Sequence, residues 1–408
     1  MTAPLDAGRS EERLRGRVVT PEGVLHDGLV VLHGDRISWV GPVEDWPHAA
    51  PPPSGRTLLP GLVDVHCHGG AGHGFGEVEG DGPLTAVRYH RNSGSTTVLA
   101  SLVSAPVEVL LRQVEALAGL VAAGELAGIH LEGPFLSPAF RGAHDPAALL
   151  PGDPDVLEAV LLRADGVVRS MTLAPEVPRS DELVAVLRRY GVLPCLGHTG
   201  ADAGQATRWM QSAGTPVGVT HLFNGMPSWH HRAAGPVAAC LAAAARGTAV
   251  VELIADGVHV DDETVAAVFD LVGPRQIALV TDSTAAAGMP DGSYRLGSRD
   301  VSVAAGVARL APDGTGKPGP IAGGTFRLLD VLRRTVLSAG VELLSAVTSA
   351  SRTPATLLGL DGEVGALEAG RRADVLVVDG QLHAVAVVRG GRRVAGSDPG
   401  PEEDSWRS

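Results

Sequence analysis

Histidine and carboxylate recur in this chain where apolar runs end. His66 and His68 close LVDVHCH (62–68), and Glu132 closes AGIHLE (127–132). His198, His221 and Asp282 stand at the ends of LPCLGHT (193–199), GVTHLFN (218–224) and QIALVTDS (276–283). Imidazole nitrogen and carboxylate oxygen together suit Zn2+ and other divalent first-row metals such as Fe2+, Mn2+ or Co2+. In His66-Cys67-His68 the period of two in a strand sends both imidazoles to one face and the thiol to the other, against the helices. An isolated HxH pair is a weak signal, because a strand-end histidine is more often a hydrogen-bonded structural residue. Five runs that each end in a ligand-type residue point instead to a hydrolytic metal centre. The only lysine is Lys317, in the loop TGKPGP, so no strand lysine is available to bridge two metals as a carbamate. Glu132 is then the liganding or bridging anion, for one ion or two.

Such groups converge only if the runs lie side by side. With TTVLAS (96–101), VVRSMTLAPE (167–176) and VVELIADG (250–257) there are eight runs of strand length, separated by Ala/Leu/Arg-rich stretches of helical period. That alternation predicts βα units and a parallel sheet, and eight strands close a (β/α)8 barrel whose catalytic groups sit at the C-terminal strand ends. Short β-runs near the start, RGRVVT and LVVLHGDRISWVG, share their texture only with ADVLVVDGQLHAVAVVRGGRRVAG near the end. The expected class is therefore α/β: a TIM-like barrel over 59–360, with a small β-sandwich built from 1–58 and 361–408. The Gly/Pro/Asp-rich stretch 289–320 reads as a hairpin plus a flexible loop, and GSDPGPEEDSWRS as a polar tail without structure.

Composition bounds the partners. A chain of 408 residues with 44% apolar residues is globular, and a net charge of −13 argues against binding the nucleic-acid backbone. An anionic substrate must therefore meet a local positive site. No run approaches the roughly 18 apolar residues of a membrane span. Cys67, Cys195 and Cys240 are far apart in apolar runs and read as buried free thiols in a reducing compartment. The N-terminal MTAPLDAGRSEER lacks the apolar core of a signal peptide, and a cytoplasmic location is expected. His26, His33, His48, His73, His90, His130 and His383 have no ligating spacing and are assigned to surface or packing. Asp64 could face inward beside His66 and His68, in a supporting role.

The motifs LPGLVDVHCHGG, GIHLEGPFLSPAFRGAHD, TLAPE, GHTGAD, THLFNGMPSWHHRAAGP, IADGVHVD and LVTDSTAAAG follow one another from residue 58 to 288. In these the chain resembles the N-acetylglucosamine-6-phosphate deacetylases of the amidohydrolase superfamily. The resemblance implies that Glu132, His198 and His221 hold one divalent metal, and that His66 and His68 match members able to hold a second. It makes Asp282 the catalytic acid/base and His144 an oxyanion stabiliser. Ala143, Asn224, Gly225 and Asp256 fall in its substrate site, with Ile321 to Gly324 on the sugar side. Arg232 and His259 would reach the phosphate from a neighbouring subunit, which implies a homodimer.

The implied chemistry is hydrolysis of an acetamide. A metal lowers the pKa of water toward about 7, Asp282 takes the proton, and the hydroxide attacks the carbonyl. The metal and His144 then stabilise the oxyanion, and Asp282 returns the proton to the departing amine. With no P-loop, the phosphate must be read by backbone amides and scattered cations. Gly225 stands where the family commonly has Ala and is expected to loosen its loop without removing an amide donor, and the loop PDGTGKPGPIAGG is longer than usual. The alternatives are a deacetylase of N-acetylgalactosamine 6-phosphate or another N-acyl compound, and a non-catalytic barrel, which would be expected to lose ligands.

Overall fold

The computed structural model of the chain describes residues 11–311 and 318–394; Lys317, the tip of the 289–320 loop and the polar C-terminal tail lie outside them. Eight parallel strands run in chain order in one sheet: β1 (Leu62–Asp64), β2 (Ser95–Val103), β3 (Gly128–Glu132), β4 (Val168–Leu173), β5 (Leu193–Leu196), β6 (Val217–Val219), β7 (Ala249–Leu253) and β8 (Ile277–Leu279). The ring closes just beyond β1 and β8, where Cys67 and Ser283 form a parallel bridge and the Asp282 amide donates to the His66 carbonyl at 2.9 Å. These are the eight predicted runs, and the fold is a (β/α)8 barrel.

Helices cover the outside through apolar residues at helical spacing. The helix Val107–Ala122 buries Leu110, Val114 and Leu117, and the helix Asp262–Val272 buries Val265, Val268, Phe269 and Val272. Asp261 caps the latter by accepting the Glu263 amide at 3.0 Å, a contact that fixes where the helix starts. Cys67 points outward as alternation requires, its Sγ 3.3 Å from His90 Nε2 on the helix Gly82–Asn92. His90 and His130 are both buried, in keeping with packing roles.

The two chain ends meet in one seven-stranded sheet. Thr57–Pro60 pairs in parallel with Glu11–Thr20 and antiparallel with Val375–Val378, so an early and a late segment flank the strand that enters the barrel. Leu14, Val18, Val30, Leu58, Val375, Val377 and Val388 form its separate core.

The described residues of 289–320 form more than the expected hairpin, while the tip of the expected flexible loop lies outside them. Gly292–Leu296, Arg299–Ala304 and Val307–Leu310 make a three-stranded antiparallel sheet. Val301, Val303, Ala308 and Leu310 bury one face of it together with Ala286 and Ala322. Its first turn is tied to the barrel by Ser298 Oγ, which donates to Asp145 Oδ2 at 2.7 Å. The glycines that suggested flexibility include Gly297 and Gly306, at φ 55° and 73°, which shape the two turns.

Candidate metal centre

Three groups at the barrel rim sit on left-handed backbone: His198 at φ 48°, His221 at φ 30° and Asp282 at φ 47°. For non-glycine residues this costs of order 1–3 kcal/mol each, so the surroundings must enforce it. Asp282 is held on both sides, its amide donating to His66 and its carbonyl accepting the Gly324 amide at 2.7 Å. The His198 carbonyl accepts the Ser137 amide at 3.0 Å, and the His221 amide donates to Glu252 Oε2 at 3.1 Å. The turned backbone aims the three side chains into the barrel mouth.

Glu132 sits between two histidine pairs. Its Oε1 lies 3.0 Å from His198 Nε2 and 2.9 Å from His221 Nε2, while its Oε2 lies 3.2 Å from His68 Nε2. Asp282 Oδ1 lies 3.2 Å from the same His68 nitrogen and 3.6 Å from His66 Nε2. Acceptors on the far side of the rings fix the tautomers. His198 Nδ1–H donates to the Phe140 carbonyl at 2.9 Å, His68 Nδ1–H to the Ser101 carbonyl at 3.2 Å, and His66 Nδ1–H to Glu252 Oε2 at 2.9 Å. The Nε2 lone pairs of these three therefore face inward; His66 and His68 Nε2 lie 3.1 Å apart, and His198 Nε2 lies 3.1 Å from that of His221. Lone pairs this close, beside two buried carboxylates, require positive charge between them. A divalent cation would supply it, and the donor set could hold one ion at Glu132, His198 and His221 and another at His66, His68 and Asp282.

Protonation of the rings would answer the same demand in another way. Burial opposes protonation of His66, yet Glu252 and Glu132 outweigh it and hold its pKa well above the ordinary imidazole value. For His68, burial is outweighed by hydrogen bonds to Asp282 and Glu132, which lift the pKa to about 9. Burial would raise Asp282, but the His68 hydrogen bond and the nearby imidazoles bring it down to about 2. Asp64, accepting from Thr281 Oγ1 at 2.7 Å, is pushed up to about 7, chiefly by burial.

His144 is different in kind. Its Nδ1 accepts the Ser104 amide at 3.2 Å, so its proton is on Nε2, which donates to Glu132 Oε2 at 3.2 Å. Burial, outweighing the pull of Glu132, lowers its pKa to about 4 and keeps the ring neutral. Although it clusters with Glu132 and His198, this tautomer makes it a hydrogen-bond donor rather than a ligand.

The centre opens into a cavity of about 410 Å³ lined by Ala143, His144, Asn224, Gly225, His259 and Ile321, among others. His259, on the segment after β7, is in the lining of its own chain's cavity. Three expectations need correcting. Asp256 is absent from the lining: its Oδ1 accepts the Val258 and His259 amides and its Oδ2 accepts His259 Nδ1–H, all at 2.8 Å, so it positions His259. Gly324 faces the backbone of the Asp282 turn, where a Cβ would lie 2.3 Å from the Thr281 carbonyl oxygen. Gly225, at φ 60°, does not loosen its loop; it lets the backbone approach His198, whose Nδ1 would lie 2.8 Å from a Cβ there. Arg232 is exposed and outside this lining, on the same loop as Trp229, which is 52% exposed.

Two residues escaped the reading of the sequence. Glu252, on β7, orients both His66 and the His221 backbone. Its only trace was a carboxylate inside the apolar run VVELIADG. Arg309, on the last strand of the three-stranded sheet, is the one arginine or lysine lining the cavity among the described residues. Nothing in its local sequence sets it apart from other surface arginines.

A barrel whose rim gathers imidazoles around one glutamate is the architecture of a hydrolytic metalloenzyme, and residues 57–399 match the amidohydrolase family, to which the chain belongs. Within that metal-dependent family its similarity is narrower. The Bos taurus protein named N-acetylglucosamine-6-phosphate deacetylase is 34% identical over 83% of this chain and 84% of its own length. An Escherichia coli O157:H7 protein named N-acetylgalactosamine-6-phosphate deacetylase is 33% identical over 90% of this chain and 94% of its own. The Mycobacterium smegmatis N-acetyl-D-glucosamine-6-phosphate deacetylase, solved as a mutant in complex with N-acetyl-D-glucosamine-6-phosphate, matches with a TM-score of 0.88 at 40% identity. That match covers 94% of this chain and 99% of the other.

Proposed function

We propose that the chain removes the acetyl group of N-acetylglucosamine 6-phosphate, giving glucosamine 6-phosphate and acetate, in amino-sugar catabolism and recycling. The observation that carries this reading is one cavity with the carboxylate–imidazole centre at its base and His259 and Arg309 in its lining. An acidic protein has there the local positive site that a phosphosugar needs.

Glu132, His198 and His221 would hold one divalent ion, zinc first among the choices, and His66 and His68 a second. When bound, such an ion supplies Lewis acidity that brings the pKa of water toward about 7. Asp282 accepts the proton of the attacking water. His144 donates from Nε2 to the carbonyl oxygen as negative charge grows there. Asp282 then gives its proton to the nitrogen, the C–N bond breaks, and the amine leaves. Asn224, Gly225, His259 and Arg309 would hold the phosphate, Ala143 and Ile321 the sugar. Asp256 and Gly324 act by positioning.

Arg232 would join from a second subunit of a homodimer, a reading supported by its exposure beside Trp229. The division into a barrel of 59–360 and a β-unit of 1–58 and 361–408 belongs to the same proposal. So does a cytoplasmic location, supported by three buried free cysteines; among the described residues no helix is long and apolar enough to cross a membrane. The galactosamine epimer is a second reading, favoured by the Escherichia coli relative. Acetate release from both N-acetylated hexosamines, each with and without the 6-phosphate, tests the proposal. The glucosamine 6-phosphate should be preferred, and equal rates on the unphosphorylated sugars would sink it.

A further inference from the structure

Beside the cavity just described lies a second one, of about 530 Å³, which the proposed reaction does not use. The two share His68, Val103 and Leu296, and diverge from there. The first runs toward Asn224, Gly225, His259 and Arg309, where the sugar phosphate would lie. The second is lined instead by Leu102, Ala105, Pro106 and Val109, with Glu77, Gln113 and Arg295 as its polar side chains. Its roof is the first turn of the three-stranded sheet, pinned by the Ser298–Asp145 hydrogen bond.

A trigonal amide carbon carries its nitrogen and its acyl substituent on opposite sides of the carbonyl axis. With the carbonyl at Glu132, His144 and Asp282, and the nitrogen-linked sugar toward Asn224 and His259, the acyl substituent points toward His68, Val103 and Leu296. It therefore points at the mouth of the second cavity. An acetyl methyl stops at that threshold, whereas a longer chain continues into the apolar space beyond it.

We propose that this second chamber is an acyl pocket, and that the chain hydrolyses amino-sugar phosphates carrying unbranched N-acyl groups longer than acetyl. The inference rests on the deacetylase reading above. The reaction is the same hydrolysis. Water oxygen bonds to the acyl carbon, the C–N bond breaks, the nitrogen takes up a proton, and the carboxylate leaves with the longer chain. Burial of each added methylene favours the longer substrate by roughly fourfold, which offsets the slower fit of a larger group.

The test uses the metal-loaded protein and the N-acetyl, N-propionyl and N-butyryl derivatives of glucosamine 6-phosphate, with release of free amine as the readout. The N-butyryl substrate should keep kcat/KM within about tenfold of the N-acetyl one, because a closed acetyl site rejects each extra methylene by roughly 10- to 200-fold. Ala105→Phe and, independently, Val109→Phe should cut the N-butyryl value by about tenfold or more, leaving the N-acetyl value near wild type. Cleavage of the N-acetyl substrate with N-butyryl lower by more than about 100-fold overturns the acyl pocket and leaves the deacetylase reading intact. Equal losses on both substrates in both variants also overturn it. If no N-acyl phosphosugar is cleaved, the parent reading fails and the inference falls with it.

Discussion

Glu252 carries no chemistry of its own, yet two features of the centre depend on it. By accepting His66 Nδ1–H it presents the Nε2 lone pair inward, and by accepting the His221 amide it holds that residue in left-handed backbone. Losing such an orienting partner typically costs 10- to 100-fold in metal affinity. Glu252→Gln should weaken binding by about that much in a chelator competition, with the barrel still folded; undiminished affinity would remove Glu252 from this role. His259 makes a prediction in pH. Burial disfavours its charge, but the hydrogen bond and charge of Asp256 outweigh burial and raise its pKa above the ordinary 6.5. The folded state therefore favours the protonated ring. The stabilisation is complete below the unfolded imidazole pKa and is lost as pH rises through the higher folded value. KM for the phosphorylated sugar should rise over the same interval as the cation disappears, and His259→Gln should flatten that dependence. A profile unchanged in the variant would assign the titration elsewhere.

Among the elements, the three-stranded sheet between β8 and the end of the barrel sets the shape of the substrate space. It delivers Leu296 to the threshold between the two cavities and Arg309 to the first. Arg309 Nη1 donates to the Gly319 carbonyl at 3.1 Å, which leaves the other guanidinium donors for a phosphate. Charge-assisted hydrogen bonds are worth about 1.5–3 kcal/mol, so Arg309→Met should raise KM for the 6-phosphate sugar by about tenfold or more. The unphosphorylated sugar should be little affected. Equal losses on both would mean that Arg309 only holds its loop. This element was partly legible: Val301 and Val303 alternate with polar residues as a strand requires, but the density of glycine and proline around them read as flexibility. The barrel strands were plainer, because burial on both faces makes each of them an almost continuous apolar run.

At the scale of the whole molecule, the open question is whether one chain makes a complete site. His259 and Arg309 come from the same chain as the metal centre, whereas Arg232 stands outside on an exposed loop. Mixing Arg232→Ala chains with Asp282→Asn chains separates the possibilities. In a shared-site dimer one site of the hybrid carries both defects and the other neither, so activity should partly recover. No recovery despite demonstrated subunit exchange would mean that each chain works alone. By itself the sequence determined the barrel, the joining of the chain ends and the residues of the centre, because hydrophobic period and ligand type are local properties of the chain. Only the tertiary structure decided which groups meet Glu132, which nitrogen of His144 carries the proton, that Asp256 serves His259, and that Glu252 and Arg309 belong to the site. Those facts depend on contacts between residues far apart in the chain: Glu252 lies 186 positions from the His66 it orients. No spacing rule spans that interval, and strand order around the barrel alone brings the two together.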